Sequence, residues 1–135
     1  MPTAARDEVL PIRTSTDVVQ VRQSVRNLAT SLGFSLIDQT KLVTAASELA
    51  RNTLEHGGGG SVRLETLTSG PRPGIRLTFE DQGPGIPDVK LALTDGYTTG
   101  NGLGLGLSGS KRLVNEFDLQ SKVGEGTRII VTKWK

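Results

Sequence analysis

The sequence predicts an α+β fold: a two-layer sandwich of a mixed, mostly antiparallel sheet with helices on one face. Three observations carry this expectation. Two helical patterns precede any convincing strand, the later strands come in pairs joined by short turns, and no regular βαβ alternation appears. At 135 residues and 14.3 kDa, the chain has the size of one domain around one core, spanning 1–135.

Taken in order, Glu8-Val9-Leu10-Pro11-Ile12-Arg13 alternates weakly and holds a proline, which suits an edge strand. Ser15-Thr16-Asp17 then offers N-cap oxygens, and Val18, Val21, Val25, Leu28 and Leu32 recur at helical spacing until Gly33. A second helix starts between Ser35 and Asp38 and buries Leu42, Ala45, Ala46, Leu49 and Thr53. It ends before Gly57-Gly58-Gly59-Gly60, where helix continuation is costly. Residues 61–67 and 75–80 alternate as two strands of a hairpin around turn residues 69–74, with Val62, Leu64, Ile75, Leu77 and Phe79 apolar. After a break over 81–87, the pattern gives a short helix at 88–93 and a polar loop at 94–102. A helix follows at 107–117, with Leu113, Val114 and Phe117 inward. Residues 119–123 and 127–131 close the chain as a hairpin about Gly124-Glu125-Gly126.

Composition removes several function classes. Lys and Arg total 16 against 14 Asp and Glu, and a formal charge of +2 supplies no broad field for a nucleic-acid backbone. The absence of cysteine excludes disulfides, thiolate zinc sites and thiol nucleophiles, and a single histidine excludes a multi-His metal centre. The N-terminal residues lack an apolar leader pattern, and no run approaches the roughly 20 apolar residues that span a bilayer. A soluble, cytoplasmic protein without membrane or nucleic-acid partners is expected. The 17 glycines cluster in three places rather than forming a low-complexity tract.

Those clusters lie beside the residues that could carry chemistry. On the second helix, Glu48 and Asn52 stand about 40° apart and roughly 6 Å along the axis, so an acid and an amide share one stripe. The Asn52 amide oxygen suits a hard cation such as Mg²⁺, and Glu48 could take a proton from an attacking hydroxyl; by itself the pair equally describes a solvated helix face. Asp81-Gln82-Gly83-Pro84-Gly85 follows an apolar strand, and its glycines let the backbone approach a flat ligand while Asp81 accepts from an exocyclic amine such as adenine's. An ordinary Asp-Gly turn reads the same way. Gly102, Gly104 and Gly106 lead into a helix, exposing N–H groups suited to phosphate. Although Gly104-x-Gly106-x-x-Gly109 formally matches a dinucleotide fingerprint, no buried strand precedes it, and no Gly-Lys-Ser/Thr follows for a Walker loop. Gly124-Glu125-Gly126-Thr127 reads first as a hairpin turn. The order of the four pieces sets them above their separate readings.

In that order they resemble the Bergerat ATP-binding fold shared by gyrase, Hsp90, histidine kinases and MutL. The N box corresponds to residues 48–52, and the glycine boxes to 81–85 and 102–106. Ser-Glu-Leu-Ala-Arg-Asn, Glu-Asp-Gln-Gly-Pro-Gly-Ile-Pro-Asp, the Asp95-Gly96-Tyr97-Thr98-Thr99 lid and the final Lys133-Trp134-Lys135 resemble the serine/threonine switch kinases, relatives of the anti-sigma factor kinases. The resemblance covers nearly the whole chain. It implies ATP with Mg²⁺ as cofactors, Asn52 on the metal, Glu48 as general base and Asp81 on the adenine amine. It further implies Gly83 and Gly85 admitting the base beside Ile86, Gly102, Gly104 and Gly106 shaping the lid, and Thr127 supporting Asp81. The implied substrates are Ser or Thr of STAS-domain stressosome scaffold proteins, and the implied second partner is a PP2C-type phosphatase. An ATP-gated binder that sequesters a sigma factor is the alternative.

Overall fold

The computed structural model describes residues 6–93 and 107–135. Its elements run β1 (Asp7–Ile12), α1 (Ser15–Ser31), α2 (Leu36–Glu55), β2 (Gly60–Ser69), β3 (Arg72–Asp81), α3 (Val89–Ala92), α4 (Leu107–Arg112), β4 (Glu116–Lys122) and β5 (Gly126–Trp134). The loop expected over 94–102 lies outside the described residues, as do Gly102, Gly104 and Gly106.

The N-cap of α1 lies one residue before the Ser15-Thr16-Asp17 run that the sequence offers. Thr14, in extended geometry, is the N-cap: its hydroxyl accepts the Asp17 N–H at 3.2 Å while the Asp17 carboxylate accepts the Thr14 N–H at 3.1 Å. This reciprocal box satisfies two amide groups the first turn leaves open. Ser35 caps α2 by accepting the Asp38 N–H at 3.1 Å. Helix α2 then buries Leu42, Ala45, Ala46, Leu49 and Thr53, as the periodicity requires, together with Val43 and Ala50.

The five strands form one sheet in the order β1-β2-β3-β5-β4. Where the sequence allowed a mixed sheet, every pairing among the described residues is antiparallel. Strand β1 lies at the edge, the position its Pro11 tolerates. Ile12, Val62, Leu64, Ile75, Leu77, Phe79, Ile129 and Val131 point to one face, where α1 and α2 cover them, and this is where the core sits. The other face carries Arg63, Glu65, Arg76, Glu80 and Arg128.

Two boundaries differ from the sequence pattern for tertiary reasons. The β2–β3 turn is only Gly70-Pro71, with Gly70 at φ 58, because Arg72, Pro73 and Gly74 are held in the sheet. Gly74 pairs with Trp134, whose ring covers it so closely that a Cβ would come within 2.5 Å. The helix expected to reach Phe117 stops at Arg112. Asn115 is captured by β5, its N–H donating to the Thr132 carbonyl at 2.9 Å and its Oδ1 accepting the Trp134 N–H at 2.8 Å. Val114 and Phe117 still pack on the core, but Phe117 does so from β4.

Removing the α1 cap by Thr14→Ala is expected to lower unfolding stability by about 1 kcal/mol, read as a shift in the urea midpoint at unchanged m-value.

Candidate functional site

Antiparallel register sets three oxygen-bearing side chains in a row at one end of the sheet. Asp81, the last residue of β3, lies opposite Thr127 of β5, which in turn lies opposite Ser121 of β4. Directly opposed residues share a face, here the face toward the helices. The last turn of α2 passes over this end and contributes Asn52, Thr53 and His56. With Phe79, Asp81, Ile86, Leu107, Thr127 and Ile129 they line one pocket.

Asp81 is buried there, 8% exposed, with Oδ1 accepting the Gly83 N–H at 2.9 Å. A carboxylate offers about four acceptor positions, so capacity remains for a ligand. Around it, glycines take positions that no side chain could share. A Cβ on Gly57 would overlap the Asp81 carboxylate, and one on Gly126, at φ 102, would overlap the Asp81 carbonyl. Gly83 sits against Gly57, where a Cβ would lie 2.6 Å from the Gly57 carbonyl oxygen, and Gly85, at φ 77, packs on Lys122. The described contacts of Gly83 and Gly85 are thus with the chain's own backbone.

Polar wiring ties the loop after β3 to the last hairpin. Ser121 Oγ accepts the Ile86 N–H at 2.7 Å and lies 3.1 Å from the Gly126 carbonyl and 2.8 Å from Thr127 Oγ1. His56, the C-cap of α2, has Nε2 3.3 Å from the Gly85 carbonyl, so it packs on the loop as well as ending the helix. Thr53 donates its hydroxyl to the Leu49 carbonyl at 2.9 Å.

Glu48 lies one turn before Asn52 on α2 and does not line the pocket; it is half-exposed, with Oε1 accepting from Arg51 at 3.2 Å. Arg51 thus makes its local ion pair with the candidate base itself. Elsewhere, across β2 and β3, Arg76 bonds both Glu65 oxygens at 3.1 Å, and these charge-assisted bonds hold the Glu65 carboxyl below its ordinary range. Among the described residues no group of three His, Cys, Asp or Glu side chains could hold a metal. A divalent ion at Asn52 would take most of its oxygen ligands from phosphate and water, the manner of Mg²⁺ beside a nucleotide.

Of the sequence candidates, Asn52, Asp81, Ile86 and Thr127 meet in one pocket, Glu48 stands a turn away, and Gly83 and Gly85 build the loop beneath. Gly57, His56, Phe79, Leu107, Ile129 and Ser121 are not marked as site residues by the sequence pattern, and Gly126 is marked there first as part of a hairpin turn. The glycine run at 57–60 was legible only as a helix stop, and Ser121 carries no signal outside its register partners.

Known proteins resemble the chain in sequence and in fold. The model for "Histidine kinase-, DNA gyrase B-, and HSP90-like ATPase" matches residues 37–135. The chain is 47% identical over 123 residues to the serine/threonine-protein kinase RsbT of Bacillus subtilis (strain 168), covering 91% of this chain and 92% of that protein. It is 32% identical over 119 residues to the anti-sigma F factor of Clostridium novyi (strain NT), covering 83% of this chain and 82% of the other. The RsbU and RsbW domains of a Mycobacterium tuberculosis protein superpose with a TM-score of 0.64 at 21% identity, over 99% of this chain and 34% of that longer one. The catalytic domain of histidine kinase ThkA does so at 0.54 and 15% identity, over 93% and 95%. Both show the same fold. By the matched model and the 47% identical relative, the chain belongs to the histidine kinase-, DNA gyrase B- and HSP90-like ATPases, among their serine/threonine-protein kinases.

Proposed function

We propose that this kinase transfers the γ-phosphoryl group of MgATP to a Ser or Thr hydroxyl on a STAS-domain partner and, when released, binds a PP2C-type phosphatase. The observation that carries the reading is the convergence of Asn52, Asp81 and Thr127, distant in sequence, on one pocket with Glu48 a turn along the same helix.

Asp81 accepts from the adenine amine, held in place by the Gly83 N–H and by the glycines that surround it. Ile86, Phe79 and Ile129 supply apolar contact for the base. Asn52 is the residue that would hold Mg²⁺, which when bound neutralises charge on the phosphates. Glu48 is the general base: Arg51 engages Oε1, leaving Oε2 to accept the hydroxyl proton as the new O–P bond forms and the bond to the ADP leaving group breaks. Gly102, Gly104 and Gly106 carry the phosphate contacts in this reading.

An ATP-gated binder that sequesters a sigma factor is the second reading, favoured by the 32% identity to an anti-sigma F factor. Stable capture of a sigma factor, with no transfer to a STAS domain, would decide for it.

Three substitutions test the assignment by calorimetry with MgATP and by transfer of labelled phosphate to a STAS-domain substrate. Glu48→Gln should lower transfer by about 100-fold or more while nucleotide affinity stays within a few-fold. Transfer at the wild-type rate would remove Glu48 as the base. Asp81→Asn should lose MgATP binding, and unchanged affinity would remove the adenine assignment. Gly57→Ala, whose Cβ would displace the Asp81 carboxylate, should weaken MgATP binding by about tenfold, and wild-type affinity would show that the carboxylate need not stand where it does.

A further inference from the structure

One stripe of α2 faces water, and the candidate base lies on it. At 3.6 residues per turn, Ile37, Lys41 and Thr44 all fall within about 40° of Glu48 around the helix axis. Those three are exposed and Glu48 is half-exposed, whereas Leu42, Ala46, Leu49 and Ala50 on the opposite side are buried. Ile37 stands three turns before Glu48, about 16 Å along the axis.

Single exposed apolar side chains are ordinary on a protein surface. Ile37 and its neighbour Leu36 differ from that pattern. At 68% and 70% exposed they are the two most exposed large hydrophobics among the described residues, and they adjoin, whereas Val9, Val19 and Val123 stand singly. Between this pair and the base lies Lys41, whose ammonium enters none of the ion pairs found among the described residues.

An acceptor hydroxyl must reach Glu48 Oε2, since Arg51 engages Oε1, and in protein phosphorylation it arrives on a folded partner. The C-terminal side of Glu48 belongs to the nucleotide pocket, which Asn52 and His56 line. A protein seated against the base therefore extends its contact over the N-terminal half of α2. A standard interface buries about 800 Å² on each partner, a patch roughly 30 Å across, which takes in Ile37 together with Glu48.

We infer that the outward stripe of α2 from Ile37 to Glu48 is the docking surface for the phosphoacceptor protein, with Ile37 and Leu36 as its apolar anchor and Lys41 pairing with an acceptor carboxylate. This rests on the reading of Glu48 as the base for transfer to a protein hydroxyl. The acceptor that fits carries an apolar side chain about 16 Å from its reacting hydroxyl and an acidic group between the two. Contacts this far from the phosphoryl group set the affinity and register of the acceptor and do not touch the reacting atoms.

Initial rates of labelled-phosphate transfer, measured against STAS-domain substrate concentration at saturating MgATP, test the inference on wild type, Ile37→Asp and Lys41→Glu. Both side chains are exposed, and an acid in the first turn of α2 suits the helix dipole, so the fold should hold. Each variant should raise KM for the acceptor by about tenfold, with kcat and MgATP affinity within about twofold of wild type. Lys41→Arg, which keeps the charge, should retain the wild-type KM. An unchanged acceptor KM in both Ile37→Asp and Lys41→Glu would overturn the inference. Weaker capture of a PP2C-type phosphatase, or dissociation of a dimer of this chain, at unchanged acceptor KM would give the face to that partner and overturn it as well. Wild type that binds MgATP yet transfers to no STAS-domain substrate would instead remove the kinase reading, and the inference with it.

Discussion

Where the end of α2 meets the ends of β3 and β5 there is no room for a Cβ, and the candidate site depends on that constraint. Gly57 lies on the Asp81 carboxylate, Gly60 on the Glu80 carbonyl, Gly83 on Gly57 and Gly126 on the Asp81 carbonyl. Glycine here removes atoms rather than adding flexibility, and the backbone segments close around a carboxylate that keeps its own side chain. Any larger residue at Gly57 or Gly126 must move either Asp81 or the strand end that carries it. The same run of glycines that stops the helix therefore also sets the position of the acid.

The layers contribute different parts of the candidate machinery. From the helical layer come Glu48 and Asn52, four residues apart on α2, and from the sheet come Asp81, Thr127 and Ser121 in adjacent strands. What brings them within reach is the closeness of α2 to the sheet. Ala46 and Ala50 are fully buried in the same core cluster as Phe79, Leu77 and Val62, and their small side chains let the helix lie close to the sheet. Lys133 anchors the other end of α2, extending from β5 to the Asp38 carboxylate at 3.6 Å while itself 7% exposed.

The two faces of the sheet obey opposite chemistry. One is apolar and covered by α1 and α2. The other carries cross-strand ion pairs, Arg76 with Glu65 at 3.1 Å, Arg128 with Glu80 at 3.3 Å and Arg63 with Asp7 at 3.6 Å, all reaching water. Exposed pairs of this kind add little stability, but they keep an uncovered sheet face hydrated and fix register by matching opposite charges across strands.

Local pattern was sufficient to read both long helices, the alternating strands and the pairing of Glu48 with Asn52, because periodicities of 3.6 and 2 record which side of an element is buried. Asp81 and the glycines after it read alone as an ordinary Asp-Gly turn, and only their order with the helical Glu48 and Asn52 and the other glycine clusters sets them apart. Local pattern misread Phe117 as helical and residues 72–74 as turn. Both segments are held by β5, through Asn115 and Trp134, and contacts that distant leave no periodic trace. What the sequence by itself determined is which residues are apolar, capped or able to bond; what only the tertiary structure decided is that Gly57 and Gly126 close on Asp81 and that Ser121 stands in hydrogen-bond contact with Thr127. Those relations depend on strand register and helix height, which arise when the whole chain packs and are encoded in no single segment.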